Sequence, residues 1–203
     1  MASHWSAMTC MTGVSKVEDH LYLSGFYAIT QSALDKNKIT CIINATKDAE
    51  FPPKKKGLDT LRVPVEDFHT EDISPYFDMA VEKIVETEKK GGNTLVHCMA
   101  GISRSASICI GKFYLWPLVV SAIALETVTG VCVCAAYMMK HRGMDLKSAY
   151  HHVKEHRPII HPNHGFFRQL IAYEKKLSGT NTVKMMKLEE EDMEIPDIYM
   201  NST

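Results

Sequence analysis

The chain has 203 residues, of which 45% are hydrophobic and 23% are charged, as is usual for a globular protein with one domain. Its 23 Lys and Arg residues nearly balance its 24 Asp and Glu residues, and the formal net charge is −1. General attraction to nucleic acid or to an anionic membrane is therefore not expected.

The first eleven residues lack the basic and apolar regions of a secretory signal. The six cysteines lie mostly within apolar runs, which favours buried free thiols in a reducing compartment over a disulfide framework. We therefore expect a cytoplasmic protein, with the nucleus as a second location.

The first part of the chain predicts strands alternating with a short helix. Residues 1–15 have no periodicity and predict a flexible N-terminal arm. Residues 20–23 predict a short strand, and Thr30 can cap a helix that ends near Asn37. The nearly continuous apolar run 38–44 predicts a strand covered on both faces, and the run 61–65, which contains a proline, predicts an edge strand.

The second part continues the same alternation. Ser74 followed by proline predicts a capped helix start, and residues 94–97 predict another strand. Asp145 and Asn163 can cap two further helices, the last of which ends near Leu177. Strands that alternate with helices predict an α/β fold with a central mixed, largely parallel twisted sheet flanked by helices. Residues 178–203 are acidic without core periodicity and predict a mobile tail.

Residues 95–105 contain the parts of a phosphate-binding loop. Cys98 follows a short β-branched run and would be the nucleophile, because a thiol at a helix N-terminus beneath backbone N–H groups is activated. The five residues after it, Met99, Ala100, Gly101, Ile102 and Ser103, would curl their amides around one phosphoryl group. Arg104 would bind two phosphoryl oxygens with its planar guanidinium.

Two neighbours of this loop each have two interpretations. Ser105 could donate to the sulfur as it leaves in the second step, or could simply begin the helix. His97 could orient the loop through its imidazole, or could be a hydrogen-bonded core histidine, and both roles are compatible.

The pattern His-Cys-x5-Arg-Ser at 97–105 resembles the signature of the cysteine-dependent protein tyrosine phosphatases, in the wording of their dual-specificity branch. The likeness extends from about Val17 to Leu177, and the tail resembles a subgroup of small atypical dual-specificity phosphatases. It implies a phosphatase P-loop between a strand and a helix, within a catalytic domain over 16–177. It also implies a metal-independent phosphatase without a cofactor, acting on phosphotyrosine and phosphoserine or phosphothreonine.

The resemblance also implies an aspartate that protonates the leaving oxygen. Asp67 occupies the matching place after the strand 61–65, and Glu66 and Asp72 are the alternatives, for which a solvated acidic loop is the competing interpretation. The loop residues between Cys98 and Arg104 carry no charge, unlike those of phosphoinositide-directed relatives. A phosphorylated protein, a signalling kinase for example, is therefore the expected partner, and nucleic acid and membrane are not.

The family pattern is interrupted at 111–135. A continuous helix across these residues would carry Ala136 far from the core, and Pro117 and Gly130 also oppose one. The apolar run 113–125 is too short to span a membrane. We interpret 111–135 as an insert, such as an alternatively spliced piece, that either bulges out or displaces the helix.

Three functions remain after these observations: a dual-specificity phosphoprotein phosphatase, a phosphoprotein-binding pseudophosphatase whose insert prevents turnover, and an RNA 5′-phosphatase. The third lacks a basic platform in the sequence. The histidines at 151, 152, 156, 161 and 164 lack the spacing of a metal site, so no metal is expected.

Overall fold

The computed structural model describes residues 13–50, 57–72, 74–105, 133–188 and 194–200. In these ranges the strands are Val14–Glu18 (β1), Leu21–Gly25 (β2), Ile39–Asn44 (β3), Asp59–Arg62 (β4), Asn93–Cys98 (β5), Met185–Lys187 (β6) and Glu194–Pro196 (β7). The α-helices are Gln31–Lys36 (α1), Phe77–Lys89 (α2), Val133–His141 (α3), Leu146–His156 (α4) and His164–Ser178 (α5).

The main sheet has the strand order β1-β2-β5-β3-β4. Its first pair is antiparallel and the other three pairs are parallel, which confirms the predicted mixed, largely parallel sheet. Only Thr40 of the apolar strand β3 is exposed, as expected of a strand covered on both faces. The carboxyl ends of β2, β3, β4 and β5 lie at one edge, where α/β proteins place their functional loops.

Helices cover both faces of the sheet. On one face, Leu34 of the short helix α1 packs in a small cluster with Ile42 of β3 and Leu95 of β5. The other face contributes Ile43 and Val96 to a larger core shared with α2, α3, α4 and α5. The predicted caps of α1, α4 and α5 are present, since the side chains of Thr30, Asp145 and Asn163 each accept a backbone N–H.

The helix start predicted at Ser74 differs in the structure. Ser74–Tyr76 form a 3-10 turn, and α2 begins only at Phe77. The Ser74 hydroxyl does not cap α2 and instead donates to Asp72 Oδ1 in the preceding loop at 2.8 Å.

The two ends of the domain also differ from the sequence prediction. Val14 and Ser15, placed in the flexible arm, belong to β1 and pair with β2. In the tail, β6 and β7 form a hairpin, and Val183 and Ile198 are buried in the main core. Two apolar side chains are too few to give a periodic pattern, so the sequence did not indicate this packing. The acidic residues 189–192 lie outside the described residues.

Most of the predicted insert 111–135 also lies outside the described residues, and only the backbone of 133–135 enters, as the first turn of α3. The side chains of Ala136–Met139 that follow are buried in the main core, where the family pattern would place them. None of the described helices has the length and apolar content that a membrane span requires.

Candidate active site

Cys98 ends β5 and lies at the base of the loop that follows, with 1% of its surface exposed. Its Sγ accepts hydrogen bonds from the backbone N–H of Gly101 and from the hydroxyl of Ser105, each at 3.2 Å. Ser105 is buried, and its hydroxyl also lies 3.4 Å from the carbonyl of Ser24 on β2. The loop thus folds back so that both donors meet the sulfur.

A buried arginine holds the outside of this loop. Arg157, at the end of α4, has no exposed surface, and its guanidinium donates to the carbonyls of Gly101 at 2.7 Å and Ala100 at 3.3 Å. The same group reaches the Gly13 carbonyl and the Ser15 hydroxyl, both at 3.2 Å. Arg157 therefore ties the loop to the start of β1.

Two backbone donors complete this outer support. Phe26 N–H donates to the Met99 carbonyl at 2.9 Å, and His161 N–H donates to the Ile102 carbonyl at 3.1 Å. Because the C=O and N–H of a trans peptide point in opposite directions, carbonyls held from outside leave amides facing the concave side. These contacts are compatible with the predicted phosphate cradle.

Gly101 is the residue on which this curvature depends. Its φ of +70° lies in the left-handed region, and a Cβ there would lie 2.5 Å from a backbone carbon of Ser24 and 2.6 Å from Arg157. The position excludes a side chain both by conformation and by contact.

Arg104 lies beside the mouth of the loop with 13% of its side chain exposed. Its Nε is a buried donor that no acceptor of the described chain reaches within hydrogen-bond distance, and the nearest carboxylate oxygen is Asp67 Oδ2 at 3.7 Å. One terminal nitrogen makes a long contact of 3.4 Å with the Val65 carbonyl. A guanidinium with a buried and unused donor is suited to an anionic ligand.

Asp67 faces Arg104 and is held by two other residues. Its Oδ1 accepts hydrogen bonds from the Ser103 hydroxyl at 2.7 Å and from the Asn163 side-chain amide at 3.0 Å. The two alternative carboxylates have other partners: Glu66 pairs with Lys47 at 3.1 Å, and Asp72 accepts from Ser74. Of the three, Asp67 is the carboxylate that these contacts bring to the loop.

His97 is fully buried beneath the loop. Its Nδ1 lies 3.4 Å from the carbonyl of Cys98, and its ring packs near Phe26. Burial lowers the pKa of His97 to about 4, so the imidazole is neutral at physiological pH. Its position is compatible with both predicted roles.

The other predictions concern the cysteines and a metal site. Of the six cysteines, Cys41 and Cys98 have described side chains, and both are buried free thiols. In the described part of the chain, no group of three His, Cys, Asp or Glu residues could hold a metal ion. The histidines of α4 make other contacts, as His152 does with the Val17 carbonyl at 3.0 Å.

The supporting roles of Arg157, Ser103 and Asn163 could not be predicted from the sequence. A charged residue at a helix end is usually solvated, so the sequence pattern gave no reason to expect Arg157 as a buried contact of the loop. Asn163 was assigned as a cap, and nothing in its spacing indicated a second partner 96 residues away.

Comparison with known proteins agrees with this geometry. The family model described as "Dual specificity phosphatase, catalytic domain" matches residues 21–115 and 130–176, more than half of the chain, and leaves the stretch between them unmatched. Human dual specificity protein phosphatase 14 is 37% identical over 189 residues, which cover 92% of this chain and 81% of that protein.

Mouse dual specificity protein phosphatase 18 is 34% identical over 210 residues and covers all of this chain, which spans 97% of the mouse protein. A crystal structure of a human DUSP28 variant superposes with a TM-score of 0.67 at 29% identity, and the match covers 82% of this chain and 97% of that one. The chain therefore belongs to the dual specificity phosphatases, among the small atypical members of the protein tyrosine phosphatase superfamily, and is a cysteine-based phosphoprotein phosphatase.

Proposed function

We propose that this chain hydrolyses phosphotyrosine and phosphoserine or phosphothreonine through a cysteinyl-phosphate on Cys98, with Arg104 binding the phosphoryl group and Asp67 as general acid. The main support for the proposal is that Cys98, Arg104 and Asp67 lie together at one loop. The sulfur accepts two hydrogen bonds within the loop, and Asp67 Oδ2 lies 3.7 Å from Arg104 Nε at its mouth.

In the first step the Cys98 thiolate attacks phosphorus and the bond from phosphorus to the leaving oxygen breaks. The loop amides of 99–104 and the Arg104 guanidinium stabilise the charge on the phosphoryl oxygens. Asp67 gives its proton to the leaving oxygen, which matters most when that oxygen belongs to serine or threonine. The phosphoryl group is then bound to sulfur, and the dephosphorylated side chain departs.

In the second step a water molecule attacks the cysteinyl-phosphate. The Asp67 carboxylate takes a proton from that water as the sulfur–phosphorus bond breaks, and inorganic phosphate is released. The Ser105 hydroxyl, 3.2 Å from the sulfur, donates to the thiolate as it leaves. Neither step calls on a cofactor.

The loop composition supports a protein substrate. Met99, Ala100, Ile102 and Ser103 supply no positive charge for the additional phosphates of an inositol ring. A phosphorylated signalling kinase is one partner of the expected kind, and the cytoplasm or nucleus is the location where it would be met. We propose the kinase substrate from the composition of this loop, and the location from the free thiols expected in a reducing compartment.

Catalysis is favoured over capture without turnover because the groups required for both steps are present and because Ala136–Met139, directly after the interruption, are buried in the core. This packing supports an insert that leaves the site in place.

The test measures hydrolysis of a phosphotyrosine peptide and a phosphothreonine peptide by the full chain, by Cys98→Ser, by Asp67→Asn and by a version without 111–135. We expect turnover by the full chain and by the shortened version, and none by Cys98→Ser. Asp67→Asn should reduce the rate on the order of 10²- to 10⁴-fold. Activity that survives Cys98→Ser would contradict the mechanism, and activity in the shortened version alone would favour the pseudophosphatase.

A further inference from the structure

We propose that Asn163 is a positioning residue for the reaction: it holds Asp67 so that one defined carboxylate oxygen, Oδ2, transfers the proton. The proposal deepens the proposed function and rests on Asp67 being the general acid. Its basis is the hydrogen bond of 3.0 Å from Asn163 Nδ2 to Asp67 Oδ1, which joins the start of α5 to the loop after β4.

The helix cap determines which end of the Asn163 amide faces Asp67. Asn163 Oδ1 accepts the backbone N–H of Phe166 at 3.0 Å, as the N-cap of α5. Because the amide oxygen is engaged by the helix, the NH₂ group must point the other way, toward the carboxylate. The helix cap thus orients the Asn163 NH₂ group toward Asp67.

The two oxygens of Asp67 are distinguished by their neighbours. Oδ1 receives the amide of Asn163 from α5 and the hydroxyl of Ser103 from the phosphate loop, the latter at 2.7 Å. Oδ2 faces the Arg104 guanidinium at 3.7 Å, on the side where a bound phosphoryl group would lie. Donors on Oδ1 leave Oδ2 as the oxygen that carries the transferable proton.

The rest of the acid loop also rests on the first turns of α5. A Cβ on Gly165 would lie 1.9 Å from the carbonyl oxygen of His69, so the loop backbone lies directly against the helix. The Gln169 side chain donates to the Glu71 carbonyl at 3.1 Å. Asn163 therefore belongs to a set of contacts from α5 that fix the position of Asp67 relative to the phosphate-binding loop.

General acid catalysis requires the donor within hydrogen-bond reach of the leaving oxygen, and a misplacement of about 1 Å can cost on the order of 10²-fold in rate. Asn163 acts through Asp67 and not on the substrate. Replacing Asn163 should therefore lower the rate most for substrates whose leaving group depends most on protonation.

The test uses the full chain and two variants that keep the cap. Asn163→Ser retains a good capping residue but is too short to reach Asp67, and Asn163→Asp replaces the donor with a second carboxylate. Each is assayed with aryl phosphates whose leaving groups range from strongly activated phenols to phenol itself. We expect kcat/KM for phenyl phosphate to fall on the order of ten- to a hundredfold, with at most about a threefold loss for the most activated ester.

Asp67→Asn supplies the reference for this leaving-group dependence. Combining it with Asn163→Ser should produce no further loss, because two residues that act through one proton transfer are not additive. Asp145→Ser is the matched control, since Asp145 caps α4 by accepting Ser148 N–H at 2.7 Å and does not contact the acid loop. It should leave the leaving-group dependence unchanged.

Four results would separate the possible failures. Equal losses on all esters in the Asn163 variants, or additive losses in the double variant, would show a merely structural role and overturn this inference alone. Turnover by the parent chain that is insensitive to Asp67→Asn, or no turnover dependent on Cys98, would instead overturn the proposed function.

Discussion

At the scale of single residues, the shape of the loop after Cys98 depends on Arg157, which lies outside the loop, and on the backbone conformation of Gly101 within it. The Arg157 guanidinium donates hydrogen bonds to two loop carbonyls from outside the loop. Gly101 adopts the left-handed backbone conformation that the loop has at this point. Because protein interiors are closely packed, neither position tolerates a change of size. Loop shape and catalytic rate should therefore change together when either residue is replaced.

Gly101→Ala is expected to lower kcat/KM on the order of 10²-fold or more, because the loop must open to relieve the contact with Ser24. Gly179→Ala is the matched control. Gly179 has a φ of +76° but open space around its Cβ position, so it bears only the conformational cost of about 1–2 kcal/mol. Thermal unfolding and kcat/KM are measured for both. Equal activity in the two variants would contradict the role of close packing at Gly101.

His97 makes stability depend on pH. Its folded pKa of about 4 lies below the unfolded value near 6.5, so the unfolded chain binds more protons between these values. Stability is therefore lost as the pH falls through this window, by about 3 kcal/mol from this residue. Urea unfolding at pH 7, 6, 5 and 4 should show a smaller loss for His97→Gln than for the parent chain, whereas the exposed His151→Gln should follow the parent. Parallel curves for His97→Gln and the parent would refute the assignment.

At the scale of elements, the helices and central strands were predictable because each buries a periodic or continuous apolar face. The strands β3 and β5 and the helices α4 and α5 lie where the sequence pattern predicted them. In contrast, β1, β6 and β7 were not predicted, since these short strands have few buried side chains. Their existence depends on partners that are distant in sequence, which a local pattern cannot show.

The candidate site divides in the same way. The proposed catalytic groups Cys98, Arg104 and Ser105 could be selected from the sequence because their chemistry requires fixed spacing within one loop. The choice of Asp67 over its neighbours needed the structure, because only tertiary contacts show that Glu66 faces Lys47 and Asp72 faces Ser74. Arg157 was missed for a similar reason, since its acceptors lie on segments remote in sequence.

The predicted insert should affect helix α3 more than any other described helix, because α3 follows 111–132 directly. Met138 on this helix is fully buried among the helices of the main core. Met138→Ala should lower the free energy of unfolding by about 2–5 kcal/mol, as expected for a truncated core methionine. Met186→Ala, on the exposed face of β6, should change it by about 0.5 kcal/mol or less. Similar small losses in urea unfolding would show that α3 does not pack in the core.

At the scale of the whole molecule, one core contains residues from the first and the last parts of the described chain. Val17 near the start and Val183 and Ile198 near the end belong to the same buried cluster. The tail also satisfies a buried carboxylate: Glu174 on α5 accepts from Thr182 N–H at 2.7 Å and from the Thr182 hydroxyl at 2.6 Å. The domain therefore extends structurally beyond Leu177, although its proposed catalytic groups all precede that residue.

Truncation after Ser178 should destabilise the enzyme without altering its chemistry. It removes two buried apolar side chains, Val183 and Ile198, and the partly buried Met185 and Tyr199 from the core. It also removes two of the donors to Glu174, which retains the Leu146 N–H at 2.8 Å. We expect a loss of about 3 kcal/mol or more, which lowers Tm by about 6–12 °C in a domain of this size.

The control for this truncation is Glu194→Gln, which breaks only an exposed ion pair with Arg168 and should cost less than about 1 kcal/mol. Thermal unfolding is followed together with kcat/KM below the transition temperature, where the truncated chain should retain the parent leaving-group dependence. A truncated chain with the parent Tm would show that the hairpin is dispensable. A truncated chain with normal stability but altered leaving-group dependence would instead place the tail in the catalytic mechanism, since Tyr199 donates to the Pro162 carbonyl directly before Asn163.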